Sequence, residues 1–471
     1  MRTFFFLLFV QSYCLELICQ TTPFELIYGA DTSSNEVGVA SIQMRGGEIF
    51  MLGNILSDTT NAYDVLLVKM DAAGQPLWAK SFDNGDSEFA NHFIFQSGKF
   101  IIVGESNQIG GFDKNGFVLQ VDEAGNELDF SLFGSPLKGE QYQNVVATDA
   151  GYLITGFATG ETNADNDVLV RHETGLLLNS WERTYGSEIN EVGMGAGQLA
   201  NGNFIISGDK QVEDEKYNPF VLVLDANGDV LHETVLKSEF NGGCKNLLVS
   251  ESGDTYVVGE MATPSSVAFD VYLAKVSPAA EVLWTKWIAS SDGPDAGFDI
   301  CQVNSGSFFI TGFGYNEASE STDIAAISID EEGNEIDRSW FGGDGLDLAY
   351  DVKPAQGGGF ILTGKTYRGA DVQAIVIHDF LEIATVGNEE KWEIEKLEIA
   401  PNPLAKSGVV CLPEGWESGV WRLVSGGGKI VRQGVVSNCQ IEIPAANLPG
   451  GTYFLNLEKQ GRQAVGKLVV P

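Results

Sequence analysis

A pattern of an apolar run followed by glycine recurs seven times along this chain of 471 residues. Its glycines are Gly53, Gly104, Gly156, Gly208, Gly259, Gly312 and Gly364, within runs such as IFMLG, FIIVG and YLITG. Successive glycines lie 51 to 53 residues apart. A period this regular indicates a repeat architecture, in which each copy is one supersecondary unit that stacks on its neighbours.

Each repeat carries further features at fixed places. An Asp or Asn opens the run after each glycine: Asp64, Asn115, Asp167, Asn218, Asp270, Asp323 and Asp371. Most copies continue with an apolar stretch, a turn built on Asp and Gly such as Asp71 to Gly74, and a stretch with an aromatic residue near its end. Because helical periodicity is nearly absent and turn residues punctuate every copy, each repeat predicts four short strands.

The two ends of the repeat region complement each other. The strand Asp371 to Asp379 has no outer partner after it, whereas Phe24 to Gly29 (FELIYG) matches the outer-strand ends of other repeats. With that segment, the repeats contain seven strands of each of four kinds. An N-terminal strand that closes a ring also removes the exposed edges of an open array. The sequence therefore predicts an all-β fold, a seven-bladed β-propeller closed by an N-terminal strand.

Composition limits the possible partners. The formal net charge is −37, from 28 basic and 65 acidic side chains. Such a surface repels phosphate backbones, so we expect no nucleic-acid partner. Neutral glycans, cations and proteins with basic patches are compatible with this charge.

The N-terminus has the composition of a secretory signal. Arg2 supplies a positive charge, and Phe4 to Val10 is an apolar stretch too short to span a membrane. We expect a signal peptide over residues 1–19 and no transmembrane segment. The mature protein would then be extracellular or held at the outer-membrane surface.

Two parts of the sequence resemble known families. The segment DVLLVKMDAAGQPLW at Asp64 to Trp78 resembles the propeller repeats of exported Bacteroidetes proteins. The C-terminal part resembles a type IX secretion sorting domain of the A type, through APNP at Ala400 to Pro403, LPGGTYFLNLE at Leu448 to Glu458 and KLVVP at Lys467 to Pro471.

These resemblances imply a domain organisation. The propeller would occupy residues 20–380 and a charged linker residues 381–396. Residues 397–471 would form a small β-sandwich-like domain that addresses the protein to the type IX secretion machinery.

A recurring acidic residue lies 16 or 17 positions before six of the seven repeat glycines. Because these positions begin the innermost strands, we expect the carboxylates to ring one mouth of the channel: Glu36, Glu88, Glu140, Glu191, Asp295 and Asp347. Close carboxylates attract cations, so a calcium ion or a cationic ligand is one interpretation. The other is that each carboxylate accepts backbone N–H bonds in its own turn. No other cofactor is indicated.

Few residues suggest catalysis. The sequence has no G-x-S-x-G elbow, H-E-x-x-H helix or phosphate-binding glycine loop. Its four histidines fall at unlike positions of different repeats, and His92 alone is expected on an innermost strand. The repeated tryptophans, such as Trp78 and Trp284, suit packing between blades or stacking on sugar rings.

The cysteines are sparse. Cys411 and Cys439 share the C-terminal domain and are a possible disulfide in an oxidising compartment. Cys244 and Cys301 are interpreted as small buried hydrophobic residues.

Three hypotheses for function follow. The leading one is a secreted or surface-anchored propeller that binds a protein or glycan through one face. The second is a polysaccharide-degrading enzyme with paired carboxylates at the channel mouth. The third is a structural surface protein without a small ligand. Unpaired carboxylates about 5–10 Å apart in a deep cleft would favour the enzyme.

Overall fold

The computed structural model describes the chain with gaps. The described residues are 24–29, 35–57, 60–85, 87–107, 114–134, 139–159, 165–174, 180–213, 216–263, 266–289, 293–343, 345–356, 358–368, 371–379, 395–397, 399–400, 407–412, 420–425, 430–436, 440–444, 448–459 and 462–470. Within these ranges the chain forms 36 β-strands and no helix. It divides into two compact units, Met1–Val386 and Gly387–Pro471.

The first unit contains seven four-stranded antiparallel sheets, the blades, each numbered from its innermost strand outward. Blade 1 contains β2 (Glu36–Gln43), β3 (Ile49–Leu56), β4 (Tyr63–Met70) and β5 (Pro76–Phe82). Blade 2 contains β6 (Ser87–Gln96), β7 (Lys99–Asn107), β8 (Lys114–Asp122) and β9 (Glu127–Phe133). Blade 3 contains β10 (Glu140–Thr148), β11 (Gly151–Thr159), β12 (Asn166–Thr174) and β13 (Trp181–Tyr185). Blade 4 contains β14 (Glu191–Gln198), β15 (Phe204–Glu213), β16 (Lys216–Leu224) and β17 (Val230–Val235).

The remaining blades follow the same order. Blade 5 contains β18 (Gly242–Val249), β19 (Thr255–Thr263), β20 (Ser266–Val276) and β21 (Val282–Ile288). Blade 6 contains β22 (Ala296–Asn304), β23 (Ser307–Asn316), β24 (Ser321–Asp330) and β25 (Glu335–Phe341). Blade 7 contains β26 (Leu348–Pro354), β27 (Phe360–Arg368), β28 (Asp371–Asp379) and, as its outer strand, β1 (Phe24–Tyr28).

The ring closes through the N-terminal strand, as the sequence predicts. β1 pairs antiparallel with β28, with Phe24 opposite His378 and Tyr28 opposite Ala374. The Phe24 and His378 rings lie 5.7 Å apart. The prediction of a seven-bladed propeller is therefore confirmed in both blade number and closure.

The hydrophobic core is divided among the blade interfaces. Seven clusters of buried side chains each join residues of two adjacent blades, and the seventh joins blade 7 to blade 1. This explains the unbroken apolar runs of the repeat. A middle strand such as β3 packs against a neighbouring blade on both faces, so consecutive residues are buried.

The signature glycines lie opposite a repeated irregularity. Every innermost strand has a β-bulge at the same place, for example between Ala90 and His92 in β6. Each signature glycine pairs with the residue just before this bulge, as Gly104 does with Ala90. A Cβ atom on Gly104 would overlap the backbone carbonyl oxygen of Phe89, and the other six glycines face the equivalent carbonyl. The glycine is therefore repeated because the bulged backbone leaves no room for a side chain.

Several tryptophans pack between blades. The Trp78 ring lies directly against Gly125 in the turn of the next blade, and Trp181 and Trp284 contact Gly228 and Gly333 in the same way. The indole nitrogen of Trp181 also donates to the carbonyl of Ala226. These contacts support the packing interpretation over sugar stacking for these three residues.

The second unit is a small β-domain of two sheets. One has the order β29-β36-β35-β32-β33 and the other β30-β31-β34. The strands are β29 (Glu395–Lys396), β30 (Ile399–Ala400), β31 (Ser407–Cys411), β32 (Val420–Ser425), β33 (Ile430–Val435), β34 (Gln440–Pro444), β35 (Gly451–Lys459) and β36 (Arg462–Val470). Side chains from both sheets, including Val410, Ile443 and Leu455, share one core, as expected of a sandwich-like domain.

Some predictions fall outside the described residues. These are the signal peptide over residues 1–19, most of the linker, Cys439 and the side chain of Cys411. A Cys411–Cys439 disulfide therefore stays a prediction. Cys244 and Cys301 are free and buried, as interpreted from the sequence. In the part of the chain that is described, no helix is long and apolar enough to cross a membrane.

Candidate functional site

Each of the six predicted carboxylates belongs to the first residue of an innermost strand or to a residue next to it. Their exposed fractions range from 0% to 8%, so they are buried where each strand begins. The set is Glu36, Glu88, Glu140, Glu191, Asp295 and Asp347.

Two of these carboxylates accept hydrogen bonds from nearby chain segments. Asp347 accepts the backbone N–H of Gly343 at 2.8 Å and that of Tyr367 at 3.2 Å. Asp295 accepts the N–H of Tyr315 at 3.2 Å. Such bonds fasten the turn between two blades to the second strand of the new blade. A role for the six carboxylates in ligand binding stays a prediction.

The bulges place other residues along the channel. A bulge sets two residues of one strand opposite a single partner residue, which turns the strand locally. In these strands the two residues lie three and four positions after the repeat carboxylate. They include Asn91 and His92 in β6, and Phe298 and Asp299 in β22. All four line cavities on the channel axis.

The middle of the channel contains a charged group of three residues. Lys353 Nζ lies 3.0 Å from Asp299 Oδ2 and 2.5 Å from Asp351 Oδ1. Asp299 also accepts the backbone N–H of Val352 at 2.9 Å, and Asp351 accepts that of Ser41 at 2.9 Å. Each aspartate therefore ties its own blade to the next one and shares the same lysine.

Amide and imidazole groups extend this network around the channel. Asn246 Nδ2 donates to Asp299 Oδ1 at 2.6 Å, and Asn144 Nδ2 donates to Asn246 Oδ1 at 3.3 Å. His92 Nδ1 lies 3.0 Å from the carbonyl oxygen of Val145 and acts as the donor, because a carbonyl only accepts. We call Asp299, Asp351, Lys353, Asn246, Asn144 and His92 the polar waist.

One atom of the polar waist lacks a partner. Asn144 is 5% exposed, and its Oδ1 has no hydrogen bond within the described residues. A buried amide oxygen without a donor is costly, so it is a natural acceptor for a ligand hydroxyl or a bound water.

Burial and charge set the protonation of the polar waist. Burial, together with the charge of the facing Lys353, lowers the pKa of His92 to about 4, so the imidazole is neutral at neutral pH. Burial alone would lower the pKa of Lys353, but the two aspartates outweigh it and raise that pKa. Burial raises the pKa of Asp351, an effect that Lys353 opposes. Lys353 is therefore a permanent cation in the waist.

The end of the channel where the innermost strands begin, the entry mouth, is partly aromatic. A cavity of about 370 Å³ there is lined by Phe298, Tyr350, Met194, Lys245 and several residues of the polar waist. The Phe298 and Tyr350 rings lie 5.4 Å apart. Aromatic faces next to hydrogen-bonding groups can hold a ligand with both apolar and polar surfaces.

The opposite end of the channel contains a larger cavity than the entry mouth. Its cavity of about 670 Å³ is lined by aliphatic side chains such as Leu247 and Val249, and by Gln198 and Gln302. It shares His92, Asn144 and Asn246 with the entry-mouth cavity, so the polar waist borders both.

Sequence reasoning missed most of the polar waist. It placed His92 on an innermost strand, which is correct, but it did not single out Asp299, Asp351 or Lys353. A usable signal is present, because Asn144, Asn246, Asp299 and Asp351 hold equivalent positions in their repeats. Side chains of a regular strand alternate between its two faces, and a bulge interrupts this alternation. Because the sequence does not reveal the bulge, it does not show which of two neighbouring residues faces the channel.

Comparisons with known proteins find remote structural matches only. No protein-family model matches the chain, and no curated protein matches its sequence. PorZ, an essential bacterial surface component of the type-IX secretion system of Porphyromonas gingivalis, is 10% identical with a TM-score of 0.43, covering 90% of this chain and 58% of that one. This chain thus spans less than two thirds of PorZ.

Two smaller proteins also match. An α-L-arabinanase from Penicillium chrysogenum is 10% identical with a TM-score of 0.42, covering 73% of this chain and 93% of that one. The polysaccharide lyase Uly1 is 10% identical with a TM-score of 0.44, covering 75% and 92%. The class of this chain, a seven-bladed β-propeller, rests on its own strand pairing.

Proposed function

We propose that the chain is a secreted or cell-surface-anchored propeller that binds a glycan or protein ligand at the entry mouth of its channel. One observation carries the proposal: Phe298 and Tyr350 lie beside the hydrogen-bonding groups of the polar waist in a single cavity. The seven-bladed ring holds these residues on strands, so the site is rigid and formed before a ligand arrives.

A glycan suits this chemistry best. Sugar rings present apolar faces that pack on aromatic rings, and their hydroxyls both donate and accept hydrogen bonds. Asp351 is an acceptor, while Asn144 and Asn246 can do both. A neutral glycan also avoids repulsion by a chain of net charge −37.

The polysaccharide-degrading alternative has less support. An acid and a base for glycoside cleavage need two carboxylates free to exchange protons with the substrate. Asp299 and Asp351 instead share Lys353 and each accept a backbone N–H. Such contacts hold both carboxylates in fixed positions on the protein, which suits recognition more than proton transfer to a substrate.

The export part of the proposal concerns the two ends of the chain. A signal peptide at residues 1–19 would direct the chain out of the cytoplasm. Residues 397–471 would then engage the type IX secretion machinery. A separate β-domain with its own core is compatible with a sorting element that acts independently of the propeller.

Binding can be tested with the full-length chain on an array of neutral oligosaccharides, followed by calorimetric titration of the best ligand. We expect Tyr350→Ala and Phe298→Ala each to raise Kd about tenfold, which corresponds to about 1.4 kcal/mol of lost ring contact. Trp287→Ala is the matched control. Trp287 is a 42% exposed aromatic residue on the outer strand of blade 5, and its removal should leave Kd unchanged.

Other results would contradict the proposal. Equal affinities for wild type, Tyr350→Ala and Phe298→Ala would place the ligand elsewhere. Cleaved oligosaccharides after incubation would support the enzyme. If the full-length chain binds neither a glycan nor a protein, the result would support a purely structural role.

A further inference from the structure

Three carboxylates meet at the junction of blades 1 and 2. Asp64 lies at the start of β4, Asp83 directly follows β5, and Glu88 lies at the start of β6. One oxygen from each lies within 4.8 Å of the other two. Asp64 and Glu88 are buried, whereas Asp83 is exposed and opens the group to solvent.

Asp64 is the unusual member of this group. It is 6% exposed, and its Oδ1 has no hydrogen-bond partner within the described residues. No lysine or arginine in the described ranges forms an ion pair with Asp64 or Asp83. Burial raises the pKa of Asp64, and the charge of Asp83 raises it further. A buried carboxylate oxygen without a partner, beside a second carboxylate, is unfavourable unless a proton or a cation neutralises the charge.

Blades 4 and 6 satisfy the position of Asp64 in other ways. In blade 6 the equivalent residue is Asp323, and it accepts hydrogen bonds from Asn316 at 2.7 Å, Ser319 at 2.7 Å and Ser321 at 2.6 Å. In blade 4 the equivalent residue is Asn218, which is neutral and bonds to two carbonyls. The Oδ1 atom of Asp64 has no such partner within the described residues, which distinguishes Asp64 from its counterparts in blades 4 and 6.

The position of Glu88 shows a matching difference. In blade 4, Glu191 pairs across the ladder with Lys210, whose Nζ lies 3.2 Å from the carboxylate. In blade 2, Glu88 pairs with Ser106, whose hydroxyl lies 3.3 Å away. The junction of blades 1 and 2 therefore has a third acidic residue, Asp83. It also has the uncharged Ser106 at the ladder position where blade 4 has Lys210.

We propose that Asp64, Asp83 and Glu88 bind one divalent hard cation, with Ca²⁺ as the expected ion. Carboxylate oxygens are the ligands that Ca²⁺ prefers, and water can complete its coordination through the exposed Asp83 side. The ion would link the third strand of blade 1 to the innermost strand of blade 2. This site is distinct from the entry mouth and does not depend on the proposed ligand.

The test is calorimetric titration of the EDTA-treated full-length chain with CaCl2, and separately with MgCl2, in 150 mM NaCl at pH 7. We expect one saturable Ca²⁺ site, and a Kd at least tenfold weaker in Asp64→Asn. Asp323→Asn is the matched control, because it changes the equivalent residue of a blade whose own side chains satisfy it. It should bind Ca²⁺ as wild type does.

Thermal unfolding supplies a second measurement. Without Ca²⁺, Asp64→Asn should melt no lower than wild type, because the substitution removes repulsion. With Ca²⁺, wild type and Asp323→Asn should gain more stability than Asp64→Asn. If Asp64→Asn does not fold, Asp83→Asn on the exposed side replaces it, with the same expected loss of affinity. The absence of a saturable site in wild type, or equal Ca²⁺ affinity in wild type and the folded variant, would overturn the proposal.

Discussion

Asp209 and Asn54 hold the same place in two repeats, one residue after the signature glycine, and reach the neighbouring blade with different chemistry. Asn54 accepts the N–H of Ala90 at 2.8 Å and donates to its carbonyl at 3.0 Å. Asp209 accepts the N–H of Cys244 but, when ionised, has no proton to donate. Burial raises the pKa of Asp209 to about 7.

This raised pKa makes stability depend on pH in a defined direction. In the unfolded chain an aspartate loses its proton near pH 4, whereas the folded chain keeps it on Asp209 up to about pH 7. The contribution of Asp209 is therefore full below about pH 4 and is lost as the pH rises towards 7. We expect Asp209→Asn to remove this loss and to raise the free energy of unfolding at pH 8 by at least about 1 kcal/mol.

Urea unfolding at pH 5 and pH 8 measures this effect. The difference in stability between the two pH values should be smaller in Asp209→Asn than in wild type. Asn54→Asp is the reciprocal control, and it should lower stability at pH 8 more than at pH 5. An unchanged pH dependence in Asp209→Asn would show that Asp209 ionises normally in the folded chain.

Residue positions were predictable from the sequence to different degrees. The six repeat carboxylates lie at the starts of the innermost strands as expected, because their spacing from the glycines is constant. The contacts of Lys353 with Asp299 and Asp351 were not predictable. They involve residues of two different blades, and Lys353 has no counterpart in the other repeats.

At the scale of the strand, the bulge opposite the signature glycine is the decisive element. The bulge explains why the signature glycine, the most regular feature of the sequence, is repeated. It also determines which side chains line the channel. The spacing of the glycines predicted the second strand of each blade, but the bulge depends on how that strand pairs with the first. A pairing irregularity leaves no periodic trace in either strand alone.

We expect Gly312→Ala to lower the free energy of unfolding by about 2 kcal/mol or more. The added methyl group would overlap the carbonyl oxygen of Ala296 and crowd the backbone of Gly297, so the bulge would have to shift. Gly139→Ala is the control, because its nearest neighbour is the Thr159 hydroxyl at 3.3 Å and backbone atoms lie at 3.8 Å or beyond.

Urea unfolding of both variants gives the comparison. Gly139→Ala should stay within about 0.5 kcal/mol of wild type. Equal small effects in the two variants would mean that the bulge is not the reason for the repeated glycine.

At the scale of the whole molecule, the sequence was most informative. Blade number, strand order and closure followed from counting strands of each kind, because a ring allows few arrangements once the repeat length is known. The charged interior of the channel was not predictable, since it arises only when seven innermost strands face one another.

The export proposal is tested at this scale as well. Deleting residues 397–471 should leave the propeller folded, since its seven interface clusters involve only residues of the first unit. In a bacterium with a type IX secretion system, we expect the truncated chain to accumulate in the periplasm, as measured by fractionation and immunoblotting. Residues 397–471 fused to a periplasmic reporter should carry it to the surface. Normal surface delivery of the truncated chain would refute the assignment.

The pairing of β1 with β28 imposes an order of events on folding. β1 is synthesised first, yet the strand it pairs with follows about 350 residues later, a separation that slows the joining of the two. Six blades can assemble from neighbouring segments as they appear, while the seventh stays one strand short. The ring of a nascent chain therefore stays open until β28 has been made, and only then can β1 pair with it.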